Sequence, residues 1–159
     1  MIKIIVCLLL SVSCSVLTNA QLEPLDLLIG VHKNGRLADL VQAFGEPEEI
    51  ETTKDKGIVK YVYKKPTSFF SYVDKKKKTV ESSSLLFWKT NDDYEYLKNK
   101  YGNEEWLEKK IAAKNHSGNE NHEVRVPRLG LEFEYDKHSP KILYINIYTN
   151  KNLLTNSAI

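Results

Sequence analysis

The chain has 159 residues, with 23 Lys and Arg against 21 Asp and Glu, and a formal net charge of +2. A domain that binds nucleic acid normally carries a strong and clustered basic excess, so this balance argues against nucleic acid as a partner. The length suits one domain that buries a core of its own.

The N-terminus has the pattern of a secretory signal peptide. A basic start at Lys3 is followed by an apolar run, and small residues precede Gln21 at the −3 and −1 positions. The apolar run is too short to span a bilayer comfortably. We therefore predict a signal peptide over residues 1–20 and an exported protein of 139 residues (159 − 20), either periplasmic or secreted.

Both cysteines lie in the predicted signal peptide. Cleavage after Ala20 would remove Cys7 and Cys14 and leave no disulfide, thiol nucleophile or thiolate metal ligand. The residues ending at Cys14 partly resemble a bacterial lipoprotein signal. A lipid on Cys14, anchoring the protein in the cell envelope, is thus the alternative to ordinary cleavage.

The first half of the remaining chain predicts a helix followed by strands. Residues 21–28 are expected to be an extended lead-in. A helix is predicted over 36–44 because its apolar residues share one stripe, and Gly45 and Pro47 then end it. A strand is predicted over 59–64, followed by a hairpin of 68–73 and 79–88. The helical stripe consists of Leu37, Leu40, Val41 and Phe44.

The second half predicts helices and then another hairpin. Asn91 to Asp93 supply caps for a helix that Gly102 interrupts, and helix is expected to resume over 104–114. A polar loop, a short strand over 123–126 and a hairpin of 129–136 and 141–149 complete the pattern.

Two segments of the chain repeat each other. The first hairpin and the second are offset by 62 residues, since Asp74 and Asp136 begin equivalent turns (136 − 74). The two helix ends, Phe44-Gly45 and Tyr101-Gly102, are offset by 57 (101 − 44). The second copy therefore contains five extra residues between its helix and its hairpin.

These patterns predict an α+β fold in which two tandem helix-plus-antiparallel-sheet units form one domain with helices on one face of the sheet. The domain is expected over 21–150, with repeat 1 at about 29–89, repeat 2 at about 91–149 and a flexible tail at 151–159.

The alternation of side chains predicts which residues face away from the helices. If Ile145 and Ile147 face the helices, Tyr144 and Tyr148 face the other way, and the 62-residue offset places Trp88 beside them. Glu81 falls on the inner side. Trp and Tyr supply large contact area, which indicates a partner-binding face, with Tyr61 and Tyr63 as neighbours. The alternative is that these rings close a second small core.

A family resemblance agrees with this interpretation. A helix ending in Phe-Gly-x-Pro at residues 44–47, followed by Tyr61-x-Tyr63, is similar to a pattern in small exported bacterial proteins. It resembles the superfamily of the beta-lactamase inhibitory proteins and the outer-membrane assembly lipoprotein BamE (SmpA/OmlA). The resemblance implies helices packed on an antiparallel sheet, carried in tandem in the inhibitory proteins, and a non-catalytic interaction module.

The sequence predicts no catalytic residue, metal site or cofactor. The histidines lack the tight spacing of metal ligands and are expected to be surface residues. Ser82 to Ser84 lacks the glycines of a nucleophile elbow. The glutamates that follow the first helix are better explained as a solvated acidic edge. The histidines are His32, His116, His122 and His138.

The densest basic run, Lys75, Lys76, Lys77 and Lys78, is predicted at an exposed hairpin tip, where it solubilises the turn or touches anionic lipid. We therefore expect an inhibitor, adaptor or envelope assembly factor that binds another protein of the envelope or exterior. The alternative is a peripheral membrane-associated envelope protein that uses this tip. The sequence gives no oligomeric state.

Overall fold

The computed structural model of the protein describes residues 23–65, 67–86, 93–111 and 121–149. Across these ranges it contains three α-helices and eight β-strands, which makes the protein an α+β fold. The elements are α1 (Pro24–Asn34), α2 (Leu37–Phe44), β1 (Glu49–Thr52), β2 (Ile58–Tyr63), β3 (Phe69–Asp74), β4 (Thr79–Leu86), α3 (Asp93–Tyr101), β5 (Leu107–Ile111), β6 (Asn121–Val126), β7 (Leu131–Asp136) and β8 (Ser139–Tyr148).

Helix α1 replaces most of the predicted extended lead-in, so that prediction is wrong. Pro24 occupies the first turn, where its missing N–H costs no hydrogen bond. Leu25, Leu28 and Val31 lie on one side of the helix and are buried. Gly35 ends the helix in the left-handed conformation, and its N–H donates to the Val31 carbonyl. The apolar spacing was present in the sequence but was interrupted by polar residues.

Helix α2 lies where the sequence predicted it. Its C-terminal Gly45 donates an N–H to the Val41 carbonyl at 2.8 Å. Phe44, its last residue, packs edge-on against Phe69 of β3, with ring centroids 4.6 Å apart, and also contacts Tyr63 of β2. The helix is thereby fixed to the first strands of the sheet.

The eight strands form one sheet in the order β1-β2-β3-β4-β8-β7-β6-β5. Every neighbouring pair is antiparallel. Strands β1 to β4 are consecutive neighbours, and so are β5 to β8. The two sets meet where β4 pairs with β8, so the centre of the sheet joins residues far apart in sequence.

The sheet presents two different faces because side chains alternate along each strand. We call one the core face, because it carries the buried residues, and the other the outer face. Core-face residues include Val59, Tyr61, Phe69, Ser83, Leu85, Leu131, Phe133, Ile145 and Ile147. The outer face, at the centre of the sheet, consists of Phe70, Tyr72, Ser82, Ser84, Leu86, Tyr144, Asn146 and Tyr148.

A β-bulge in β4 decides where Glu81 lies. Val73 pairs with Val80, whereas the adjacent Tyr72 pairs with Ser82, so Glu81 is an extra residue in β4. Val80 thereby reaches the core and is fully buried, and Glu81 is exposed. The predicted inward position of Glu81 is wrong because simple alternation does not allow for the bulge.

The predicted helix over 104–114 is also wrong. Helix α3 ends at Tyr101, and the chain then enters strand β5, which pairs with β6 from Leu107 opposite Arg125. Trp106 donates its indole N–H to the Tyr101 carbonyl at 3.0 Å, which fixes the connection. The sequence did contain a signal, because the 57-residue offset maps β1 onto residues 106–109.

Several predicted segments lie outside the described residues. These are the signal peptide over 1–20 with Cys14, most of the polar loop after β5, and the tail over 151–159. The domain boundaries therefore stay predictions. Among the helices that the structure describes, none is both long and apolar enough to cross a membrane.

Candidate interaction surface

The outer face is assembled by the register of three central strands, β3, β4 and β8. In one row across the sheet, Tyr72 of β3 lies opposite Ser82 of β4, which lies opposite Tyr148 of β8. Side chains in such rows are close enough to touch. The serine is therefore flanked by a tyrosine on each neighbouring strand.

The neighbouring row is aromatic on one side and polar at its centre and on the other side. Phe70 lies opposite Ser84, and Ser84 lies opposite Asn146. The Ser84 hydroxyl donates to the Asn146 side-chain carbonyl at 2.6 Å. This hydrogen bond satisfies the Ser84 hydroxyl proton and the Asn146 carbonyl oxygen, so a partner can cover those two groups without leaving them unpaired.

One wall of the outer face is made by β3 and its neighbour β2. The rings of Phe70 and Tyr72 meet edge-on, with centroids 5.6 Å apart. The Lys60 ammonium lies 4.6 Å from the centre of the Phe70 ring and also pairs with Glu51 at 3.0 Å. This wall therefore combines an aromatic surface with a charged border.

The other wall is made by β8 and β7. The Tyr148 hydroxyl donates to Glu132 at 3.2 Å, and burial together with the Glu132 charge raises the pKa of Tyr148 to about 12. Glu132 also accepts from Arg125, which in turn pairs with Glu123 at 2.6 Å. Tyr148 is therefore a neutral donor at pH 7, held in place by an ion-pair network.

Two apolar side chains protrude beside these walls. Leu86 is 43% exposed and Tyr144 is 38% exposed, and the two are directly paired across β4 and β8. Large apolar side chains with this exposure in one pair are a feature of surfaces that contact other molecules. The pair continues the aromatic surface toward the end of the sheet where β8 begins.

The structure separates the predicted binding residues. Tyr144 and Tyr148 lie on the outer face, and Trp88 is outside the described residues. Tyr61 and Tyr63 do not lie beside them, because they occupy the core face and are 9% and 2% exposed. Their placement as neighbours is wrong, since alternation in β2 puts both rings on the core face, where Tyr63 contacts Phe44 of α2.

Sequence reasoning missed Phe70 and Tyr72 as outer-face residues. The signal was the alternation along β3, in which Phe69, Ser71 and Val73 are buried and the two residues between them are partly exposed. The β4–β8 register, which brings β3 close to β8, cannot be predicted from the β3–β4 hairpin or the β7–β8 hairpin alone.

The histidine prediction is wrong for His32, which is only 1% exposed. Its Nδ1 lies 2.7 Å from the Thr149 hydroxyl and its Nε2 lies 2.8 Å from the Ser83 hydroxyl. Burial lowers the pKa of His32 to about 4. The imidazole therefore lies neutral inside the core.

The other described histidines differ from one another. His138 is exposed, and His122 lies against Glu108, with Nδ1 2.7 Å from a carboxylate oxygen. His116 lies outside the described residues. Within the ranges that the structure describes, no group of three or more His, Cys, Asp or Glu side chains is placed to hold a metal ion.

Glu108 is the centre of a second polar cluster, between β5 and α3. It accepts hydrogen bonds from Tyr135 at 2.6 Å and from Tyr94 at 3.3 Å. The two tyrosine rings stack with centroids 4.3 Å apart. Burial and the Glu108 carboxylate raise the pKa of Tyr135, so this cluster joins α3 to the sheet through neutral phenols.

No family model matches the chain, and no curated protein matches it. Two solved structures are similar. An extracellular protein containing a SCP domain from Bacillus anthracis str. Ames has 16% identity and a TM-score of 0.46, covering 76% of this chain and 45% of that one. A DUF4309 family protein (YjgB) from Bacillus subtilis subsp. subtilis str. 168 has 11% identity and a TM-score of 0.39, covering 78% and 94%.

This chain thus spans less than half the length of the SCP-domain protein. Neither structure is described as a beta-lactamase inhibitory protein or as BamE, so that resemblance stays a prediction. At these TM-scores the two likenesses carry no argument about function.

Proposed function

We propose that this protein is an exported, non-catalytic module that binds another protein through the outer face of its sheet. The observation that carries the proposal is the composition of that face. Aromatic and apolar side chains flank a small polar centre, and ion pairs border them on both sides. Protein interfaces have this anatomy, in which aromatic residues dominate the buried core and charged groups form the rim.

A folded protein suits this surface better than a small molecule. The outer face lies on the open surface of three adjacent strands, β3, β4 and β8, whereas small-molecule sites are concave. Its rim carries both signs, with Lys60 on one side and Glu132 and Arg125 on the other. A partner protein whose own border carries both positive and negative charges would complement this rim. That partner would be the target if this protein is an inhibitor, or the protein it holds in place if it is an adaptor.

The polar groups of the sheet also support a non-catalytic role. The hydrogen-bonded imidazole of His32 and hydroxyl of Ser83 resemble the general base and the nucleophile of a catalytic site. Ser83, however, has no exposed surface, and His32 has almost none. A substrate would have to enter the packed core to reach them, so we interpret the pair as part of the fold.

We further propose that the domain arose from two copies of one helix-plus-sheet unit, with helices covering the core face alone. Three features support this. Helices α2 and α3 end at Phe44 and Tyr101, the predicted 57-residue offset. Asp74 and Asp136 each accept a backbone N–H from two residues ahead. Ser84 and Asn146, offset by 62, pair directly, as a twofold axis through that point would require.

The test is affinity capture from envelope and culture-fluid extracts at physiological salt, read by mass spectrometry. The unaltered protein is used as the bait and is compared with its Phe70→Ala and Tyr144→Ala variants. We expect one discrete protein to be retained, and each substitution to weaken its binding by on the order of 2 kcal/mol, about thirtyfold.

Ile50→Ala is the matched control, because Ile50 is 50% exposed but pairs with Tyr61, a core-face residue. It should leave binding unchanged. The proposal fails if all three variants retain the partner equally. A large fall in melting temperature for Tyr144→Ala would show instead that this ring supports the fold.

A further inference from the structure

Three turns meet at one end of the sheet, where they are held together by backbone hydrogen bonds. The β3–β4 turn contacts the β1–β2 turn, since the Lys75 N–H donates to the Gly57 carbonyl at 3.1 Å. It also contacts the α1–α2 connection, since Leu37 donates to the Lys78 carbonyl at 3.0 Å and Val80 to the Gly35 carbonyl at 2.8 Å. The three turns therefore form one fixed surface, which we call the basic end.

Asp74 gives the β3–β4 turn its shape. One of its carboxylate oxygens accepts the backbone N–H groups of Lys76 and Lys77, both at 2.9 Å. The other oxygen lies 3.2 Å from the Lys77 ammonium. These contacts hold the pKa of Asp74 below its usual range and keep the turn formed. Lys77 is thus paired with an acidic side chain of its own turn, and its side chain is still 71% exposed.

The basic end concentrates positive charge that the sequence shows only in part. Its eight cations exceed its four acids, Asp39, Asp55, Asp74 and Glu81, which gives a formal charge of +4 (8 − 4). The whole chain carries a net charge of +2, so the residues outside the basic end carry a net charge of −2 (2 − 4). The cations, all exposed, are Lys33, Arg36, Lys54, Lys56, Lys75, Lys76, Lys77 and Lys78.

We propose that the basic end is an electrostatic contact for an anionic phospholipid surface. Seven of its eight cations are lysines, which act as hydrated point charges on flexible stems and lack the fork with which Arg grips one phosphate. They project from turn tips and do not line a cleft. This arrangement suits a flat field of many negative headgroups, where each added lysine strengthens attachment. The contact is separate from the outer face and does not depend on it.

The experiment measures sedimentation of the purified protein, produced from the full 159-residue reading frame, with lipid vesicles. One set contains equal parts of phosphatidylcholine and phosphatidylserine, and the other contains phosphatidylcholine alone. Binding to the neutral set measures any contribution from the apolar N-terminal run. The test variant changes Lys54, Lys56, Lys75 and Lys76 to Gln, which leaves the Asp74–Lys77 pair in place.

The control variant removes the same charge elsewhere, changing Lys64, Lys65, Lys109 and Lys137 to Gln. We expect the unaltered protein and the control to bind the anionic vesicles, and the test variant to bind them about tenfold or more weakly. Binding should also fall as salt shortens the Debye length. Circular dichroism checks that all three proteins are folded.

Three results would overturn the proposal. One is that the unaltered protein binds neutral and anionic vesicles equally. Another is that both variants lose binding equally, which would indicate a general effect of charge. A soluble polyphosphate that binds through the same lysines while vesicles do not would assign the basic end to a polyanion instead. Phe70→Ala should retain vesicle binding, which separates this test from that of the outer face.

Discussion

At the scale of single residues, His32 joins α1 to two strands through a chain of hydroxyl groups. The Thr149 hydroxyl donates to the Val80 carbonyl, so its oxygen is left to accept from His32 Nδ1–H. His32 Nε2 then accepts from Ser83, whose oxygen lies 2.6 Å from that of Ser71. We therefore assign the neutral tautomer with the proton on Nδ1, in agreement with its low pKa.

This assignment predicts a loss of stability in acid. The pKa of His32 is about 4 in the folded state and near 6.5 in the unfolded chain. Between pH 6.5 and pH 4, His32 is protonated in the unfolded chain but stays neutral in the folded state. The free energy of unfolding should thus fall by about 3 kcal/mol as the pH drops from 6.5 to 4, and this contribution should change no further below that.

Urea denaturation at several pH values measures the effect, and His32→Gln provides the comparison. The glutamine can still form hydrogen bonds but does not titrate. We expect the variant to lose stability less steeply over the same pH range. Equal slopes for the two proteins would show that His32 contributes no such dependence.

At the scale of elements, the bulge in β4 lets the strand carry Glu81 while Val80 and Ser82 keep the faces that their pairing requires. Deleting Glu81 would make these two residues neighbours in simple alternation, so no core side chain should leave its face. The deletion would remove the Glu81 carbonyl that accepts the Thr149 N–H at 3.1 Å, which should cost about 0.5–1.5 kcal/mol of unfolding free energy. The measurement is the urea midpoint of the deletion variant.

Glu81→Ala is the control for that deletion. The Glu81 side chain is exposed and accepts a hydrogen bond from the Thr79 hydroxyl, whereas the Thr149 N–H binds the main-chain carbonyl, which alanine retains. Truncation should therefore change stability by less than about 0.5 kcal/mol. If the deletion proves as mild as the truncation, the bulge has no role in stability.

The elements also show what the sequence could predict. Helix α2 and both hairpins were predicted because each is a local pattern with a clear period and clear stops. Strand β5 was mistaken for helix because Trp106, Leu107, Lys110 and Ile111 fit a helical face over a short run. Only pairing with β6, at residues 121–126, makes that segment a strand. The outer face likewise depends on the β4–β8 register, a contact between distant residues, so its β8 tyrosines were predicted and Phe70 and Tyr72 were not.

At the scale of the whole molecule, the β4–β8 pair should make the described sheet one cooperative unit. Helix α1 strengthens the join, since His32 contacts Ser83 of β4 and also Thr149 after β8. Shortening a fully buried side chain of β8 in Ile147→Ala should cost about 2–5 kcal/mol. That loss should appear equally in β3 and β7.

Hydrogen exchange in increasing urea measures this coupling strand by strand. We expect amides of β3 and β7 to share one opening free energy, in the original protein and again, at a lower value, in the variant. If Ile147→Ala weakened β7 and left β3 unchanged, the two halves of the sheet would be independent.

Strand β8, the last that the structure describes along the chain, is also a central strand of the sheet, and this has a consequence for assembly. A chain that is synthesised or exported from its N-terminus completes β1 to β4 long before β8 is present. Until then the hydrogen-bonding edge of β4 has no partner strand. Pairing β4 with β8 closes a loop of about fifty residues, and such long-range pairing is slow. We therefore expect the newly made protein to be most vulnerable to aggregation and proteolysis in the interval before residues 139–148 arrive.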